Sequence, residues 1–131
     1  MIRPFLPALI LLTHIFCPMA FQSDIVETLS GLFKAANSKE ISKDFSPSVE
    51  LTINEQEDVY SKAQSEQILR EFFTKNPPVN STVTHLINTN PNYRFGILAL
   101  STKNGKFRVA ITLKKTANTF FITELRIDPD K

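Results

Sequence analysis

Two side chains in the body of the chain can hydrogen-bond a ligand: Tyr60, where a short extended segment runs into a helix, and His85, inside a β-rich stretch. Little chemistry surrounds them. The two histidines are His14 and His85, and the only cysteine is Cys17. With His85 alone in the body of the chain, no two-histidine metal site can form. The three glycines, Gly31, Gly96 and Gly105, are too scattered for a phosphate-cradling loop. No nucleophile-elbow motif accompanies the serines. Metal, cofactor, nucleotide and nucleophilic chemistry are therefore not expected. Asn80-Ser81-Thr82 matches a glycosylation sequon, which short sequences produce by chance.

The first twenty residues, MIRPFLPALILLTHIFCPMA, read as a secretory signal peptide. Arg3 supplies the positive start, Leu6 to Phe16 the apolar core and Ala20 a small residue at the end. The apolar run is short for a span of ~20 residues, and prolines flank it. The expected division is a signal peptide, 1–20, and one domain, 21–131, exported to a periplasmic or extracellular site. The alternatives are an N-terminal membrane anchor or a lipid on Cys17, where bulky Phe16 stands in place of the usual small residue. The formal net charge of +2 leaves no electrostatic footprint for nucleic acid.

Asp24 with Glu27 predicts the start of a helix carrying Ile25, Leu29, Leu32, Phe33 and Ala36 on one face, with Ser30 on the other. A short helix is expected over Glu40 to Phe45, then a strand over Val49 to Asn54 and a short one over Glu57 to Tyr60. Ser61 with Gln64 forms a capping box, opening a helix whose Ile68, Leu69, Phe72 and Phe73 make one stripe until Pro77-Pro78 ends it. The stripe reads as core. Strands follow over Val83 to Thr89 and Tyr93 to Lys103, with Asn90-Pro91-Asn92 as the turn between them.

Asn104-Gly105 predicts a two-residue turn, placing Lys103 opposite Lys106, Leu100 opposite Val109 and Leu98 opposite Ile111. For the last hairpin, a three-residue loop at Thr116-Ala117-Asn118 puts Leu113 against Phe121 and Val109 against Leu125. A two-residue loop would turn Glu124 and Arg126 toward the core, at a desolvation cost. One sheet face is then almost wholly apolar. The other carries Phe95, Ile97, Ala99, Ala110, Thr112, Phe120 and Ile122, a mixed, partly apolar surface suited to a protein partner or to a homodimer.

Helices on one face of an antiparallel sheet make an α+β architecture. At "DVYSKAQSEQILREFFTKNPP" and "NGKFRVAITLKKTANTFFITELRID" the chain resembles a family of small secreted Bacteroidota proteins of unknown function. That resemblance implies the nuclear transport factor 2-like cone, a curved sheet wrapped around N-terminal helices. It implies no activity. Ketosteroid isomerase, which shares the cone, uses a first-strand carboxylate as base. Here Glu50 lies on the opposite phase from Val49, Leu51 and Ile53, and the first helix offers Leu32 and Phe33 in place of a tyrosine. The expectation is a non-catalytic binding domain for a small apolar ligand or an envelope protein. The alternative is an isomerase- or dehydratase-type enzyme using the cone cavity.

Overall fold

The computed structural model describes residues 24–131; the expected signal peptide lies outside them. Three helices, α1 (Ile25–Lys34), α2 (Ser38–Ser42) and α3 (Lys62–Lys75), pack on one face of a six-stranded sheet. The strands are β1 (Phe45–Ile53), β2 (Gln56–Ser61), β3 (Pro78–Ile87), β4 (Tyr93–Thr102), β5 (Gly105–Thr116) and β6 (Thr119–Pro129). Their order is β2-β1-β6-β5-β4-β3, and only the β1–β6 pair is parallel. The core lies between the helices and the inner face, where Leu98, Leu100, Val109, Ile111, Leu113, Leu125 and Ile127 are buried.

Asp24 caps α1, its carboxylate accepting from the Val26 N–H at 3.0 Å. The buried face of α1 is Val26, Leu29, Ser30 and Phe33, rotated from the expected one. Ser30 lies inside because its hydroxyl meets the Ser81 hydroxyl of β3 at 2.8 Å, so the buried polar group is satisfied. Val26 comes down on the β4 backbone at Gly96, which has no side chain to obstruct it. Ala36, at φ 54°, closes α1 with the Asn37 N–H bonded to the Leu32 carbonyl at 2.9 Å. Asn37 then caps α2, accepting from the Glu40 N–H at 3.1 Å. This cap starts α2 two residues before the expected Glu40 and releases Phe45 to begin β1. Pro47 fits within β1 because the β1–β6 register breaks between Phe45 and Glu50 and pairing with β2 begins only at Ser48.

Both long hairpins depart from the expected register. At β4–β5 the loop is Lys103-Asn104, and Thr102 faces Gly105, Leu100 faces Phe107 and Leu98 faces Val109. Gly105 takes the positive φ of 123° by itself, sparing Asn104, whose side chain instead bonds the Lys75 carbonyl at the end of α3. The displacement is two residues, so every side chain keeps its expected face.

At β5–β6 the loop is the rejected two-residue one, Ala117-Asn118, with φ of 51° and 65° and Thr116 facing Thr119. The cost foreseen for Glu124 and Arg126 is avoided because a bulge intervenes. The register shifts between Thr112 and Leu113, leaving Thr123 as the extra residue. Leu113 pairs with Ile122, and past the bulge Ile111 meets Leu125 and Val109 meets Ile127, in place of the expected Val109 against Leu125. Glu124 and Arg126 remain exposed.

The β1–β2 turn, Asn54-Glu55, also has both residues at positive φ, 51° and 70°. Asparagine tolerates that region; glutamate and alanine do not. Glu55→Gly and Ala117→Gly are each expected to stabilise the fold by roughly 0.5–1 kcal/mol after the backbone entropy of glycine is counted. Urea unfolding should show higher midpoints at unchanged slope. An unchanged or lower midpoint would show that these turns carry no strain.

Candidate functional site

A concavity lies between α3 and the β1–β2 hairpin. The tight Asn54-Glu55 turn sets β2 antiparallel to β1 with Ile53 facing Gln56 and Val49 facing Tyr60. Tyr60 thus shares the inner face with buried Val49 and Leu51. Helix α3 begins with no intervening loop. The Ser61 hydroxyl accepts from the Gln64 N–H, and the Gln64 side chain accepts from the Ser61 N–H, both at 3.2 Å. That box folds α3 back across the hairpin.

Leu69, Phe72 and Phe73 turn α3 into the core. Phe72 and Phe107 stack edge to face with centroids 5.0 Å apart, and Phe73 meets Phe33 likewise at 5.6 Å. Asn76 ends the helix, its main-chain and side-chain N–H groups both donating to the Phe72 carbonyl.

Between these elements is a cleft of about 370 Å³. Leu51, Ile53, Ile68 and Phe72 supply its apolar lining, and Asn54, Gln56 and Asn76 supply carboxamides. Glu71 and Lys75 stand exposed on the α3 side. The half-buried Tyr60 also lines the cleft, and its hydroxyl has no hydrogen-bond partner among the described residues. This arrangement can bury an apolar body and hydrogen-bond a polar end. Sequence reading reached Tyr60 and the Ile68–Phe72 stripe. It missed Glu71 and Lys75, which share the flank of α3 three and seven residues after Ile68.

His85 does not join Tyr60. It is exposed on β3, at the opposite edge of the sheet, five strand spacings or roughly 24 Å away along the sheet. Of the expected outer-face residues, Phe95, Ile97, Ala99, Ala110 and Thr112 lie half-buried on the face away from the helices. Ile122 is fully buried in the core, and Phe120 packs against the core under the Arg94 guanidinium, 4.7 Å above its ring. The two-residue loop and the Thr123 bulge cause this correction, and Phe121 takes the outer position instead. Among the described residues, no three His, Cys, Asp or Glu side chains cluster to hold a metal.

An acid with a displaced carboxyl lies outside the cleft. Asp44 precedes β1, and burial raises its pKa from 3.8; nearby Lys62 opposes the shift and Glu40 adds to it. The folded chain therefore holds this proton to higher pH than the unfolded chain, and stability falls as pH rises from 3.8 through the folded value. Asp44→Asn is expected to raise the melting temperature at pH 7 and to leave it unchanged at pH 3. A fall at pH 7 would mean that attraction to Lys62 outweighs burial.

The chain matches the model of a domain of unknown function, DUF4783, over residues 26–128. It is similar to a DUF4783 protein of Bacteroides uniformis at 30% identity, TM-score 0.78, covering 82% of this chain and 99% of that one. A DUF4783 protein of Bacteroides ovatus is 33% identical, TM-score 0.75, with 79% of this chain and 93% of that one covered. A cystatin-like domain of unknown function from Nostoc punctiforme shares the fold at 8% identity, TM-score 0.64, over 81% of this chain and 73% of that one. No curated protein matches. The fold is the α+β, cystatin-like cone of the nuclear transport factor 2-like type, and the chain belongs to the DUF4783 family.

Proposed function

We propose that this protein is an exported, non-catalytic binding domain of the cell envelope, whose α3–hairpin cleft takes a small, largely apolar ligand. The observation that carries this reading is the cleft itself: an apolar lining reached past a phenol and three carboxamides, with its two ionised side chains left exposed. An isomerase-type site would instead bury its acid against the substrate. Export rests on the signal-like first twenty residues. No helix among the described residues is long and apolar enough to cross a membrane.

Native mass spectrometry of the protein purified from its own cells tests the reading. A reproducible small-molecule adduct, lost in Ile68→Glu, is the expected result, with an N-terminus starting near Phe21. An adduct-free mass that no apolar probe changes would sink the binding role, and an intact Met1 would sink export by cleavage. The half-exposed Phe95, Ile97, Ala99 and Thr112 favour a second surface, for an envelope protein or a homodimer partner. Ile97→Lys should abolish that association, and a wild-type chain monomeric at high micromolar concentration would remove the homodimer.

A further inference from the structure

Helix α3 carries two acid–base pairs at the same i, i+4 spacing, and they behave differently. Glu66 and Arg70 are joined in an ion pair. Five residues further on, Glu71 and Lys75 have the same favourable order, acid before base, that closes such pairs on a helix surface. Neither head group has an ion-pair or hydrogen-bond partner among the described residues. Both also line the cleft, whereas Glu66 and Arg70 lie outside it. The cleft thus presents one unpaired negative and one unpaired positive group beside a lining of Leu51, Ile53, Ile68 and Phe72.

We propose that the cleft binds an apolar α-amino acid as its zwitterion. This deepens the binding reading above and rests on it. The ammonium meets Glu71, the carboxylate meets Lys75, and the aliphatic side chain lies on the apolar lining. The Tyr60 hydroxyl and the carboxamides of Gln56 and Asn54 supply hydrogen bonds to the polar end. Charge complementarity selects this ligand over its relatives. A fatty acid leaves Glu71 facing a carboxylate, and an alkylamine leaves Lys75 facing an ammonium. The cleft, of about 370 Å³, has room for an amino acid of leucine size.

The test uses NMR titration of the purified protein with free leucine, leucinamide, N-acetyl-leucine and 4-methylpentanol. Leucine should perturb the amides of Tyr60, Ile68 and Lys75 saturably. Leucinamide, lacking the carboxylate, and N-acetyl-leucine, lacking the ammonium, should each bind about fivefold more weakly, the effect of losing one partly exposed charge pair. Glu71→Gln should erase the difference between leucine and N-acetyl-leucine, and Lys75→Met that between leucine and leucinamide. Both positions are exposed, so the variants should fold. Equal binding of all four compounds would overturn the zwitterion while leaving the apolar cleft intact. N-acetyl-leucine matching leucine, with only Lys75 mattering, would overturn it in favour of a peptide C-terminus. Saturable binding by none of them would remove the zwitterion, and if no other apolar probe binds either, the cleft reading falls with it.

Discussion

Phe73→Ala is expected to remove about 3–5 kcal/mol of folding stability, the usual cost of emptying a buried phenylalanine site. The side chain is 5% exposed and sits between two rings, with Phe33 at 5.6 Å and Phe72 at 5.9 Å between centroids. Phe72 in turn packs edge to face on Phe107 of β5. The four rings therefore tie α1, α3 and the sheet into one cluster, and the loss includes edge-to-face contacts beyond buried area. A domain of this size has about 5–15 kcal/mol in total, so the variant should be marginal at room temperature. Phe73→Leu, which retains most of the volume, should lose much less. Urea unfolding followed by far-UV circular dichroism measures both. A loss below about 1.5 kcal/mol for the alanine variant would mean that the cluster collapses onto the gap.

Gly96→Ala is the second large effect, and its cause is a single contact. A Cβ on Gly96 would stand 2.4 Å from Val26 Cγ1 and 3.0 Å from Val26 Cγ2. Val26 is fully buried, so it cannot swing into solvent, and α1 must lift from β4. The expected cost is about 1–3 kcal/mol, the range for overpacking a filled core. Val26→Ala relieves the collision. Alone it should cost about 2 kcal/mol as a cavity, but in the Gly96→Ala background it should cost far less. The double-mutant cycle should yield a favourable coupling of about 1 kcal/mol or more. Additive losses would show that the helix does not rest on Gly96. The α3–hairpin cleft, toward the other edge of the sheet, should keep its shape in both variants.

The same contact shows what could be read in advance and what could not. Gly96 was legible as a strand residue facing the apolar side, but its partner Val26 lies seventy residues earlier and no local pattern joins them. Likewise the Ser61–Gln64 capping box and the Pro77-Pro78 stop were readable, because each is a contact between near neighbours. From them follow the helix, its stripe and its place after β2. Tyr60 could be read as a candidate by type, and the structure seats it in the cleft. His85 could be read by the same logic, and the structure sends it to the far edge of the sheet.

What the amino-acid sequence by itself determined was the set of elements, their order and the face that β4 and β5 turn to the helices. Those depend on alternation, caps and breakers, which act over two to four residues. The α+β layering followed from that order, and the cone from the resemblance to the family. What only the tertiary structure decided was register and proximity. The β5–β6 hairpin could have kept Glu124 out of the core with a longer loop. It did so with a tight turn and a bulge at Thr123, which moved Ile122 inward and Phe121 outward. Both solutions satisfy the same burial cost, so alternation could not choose between them. The choice was made where β6 must also pair with β1, with the Ile122 N–H held by the Asp44 carbonyl at 2.6 Å. The cleft arises the same way: its lining comes from three elements, and only the docking of α3 across the hairpin brings Glu71 and Lys75 to Leu51 and Tyr60.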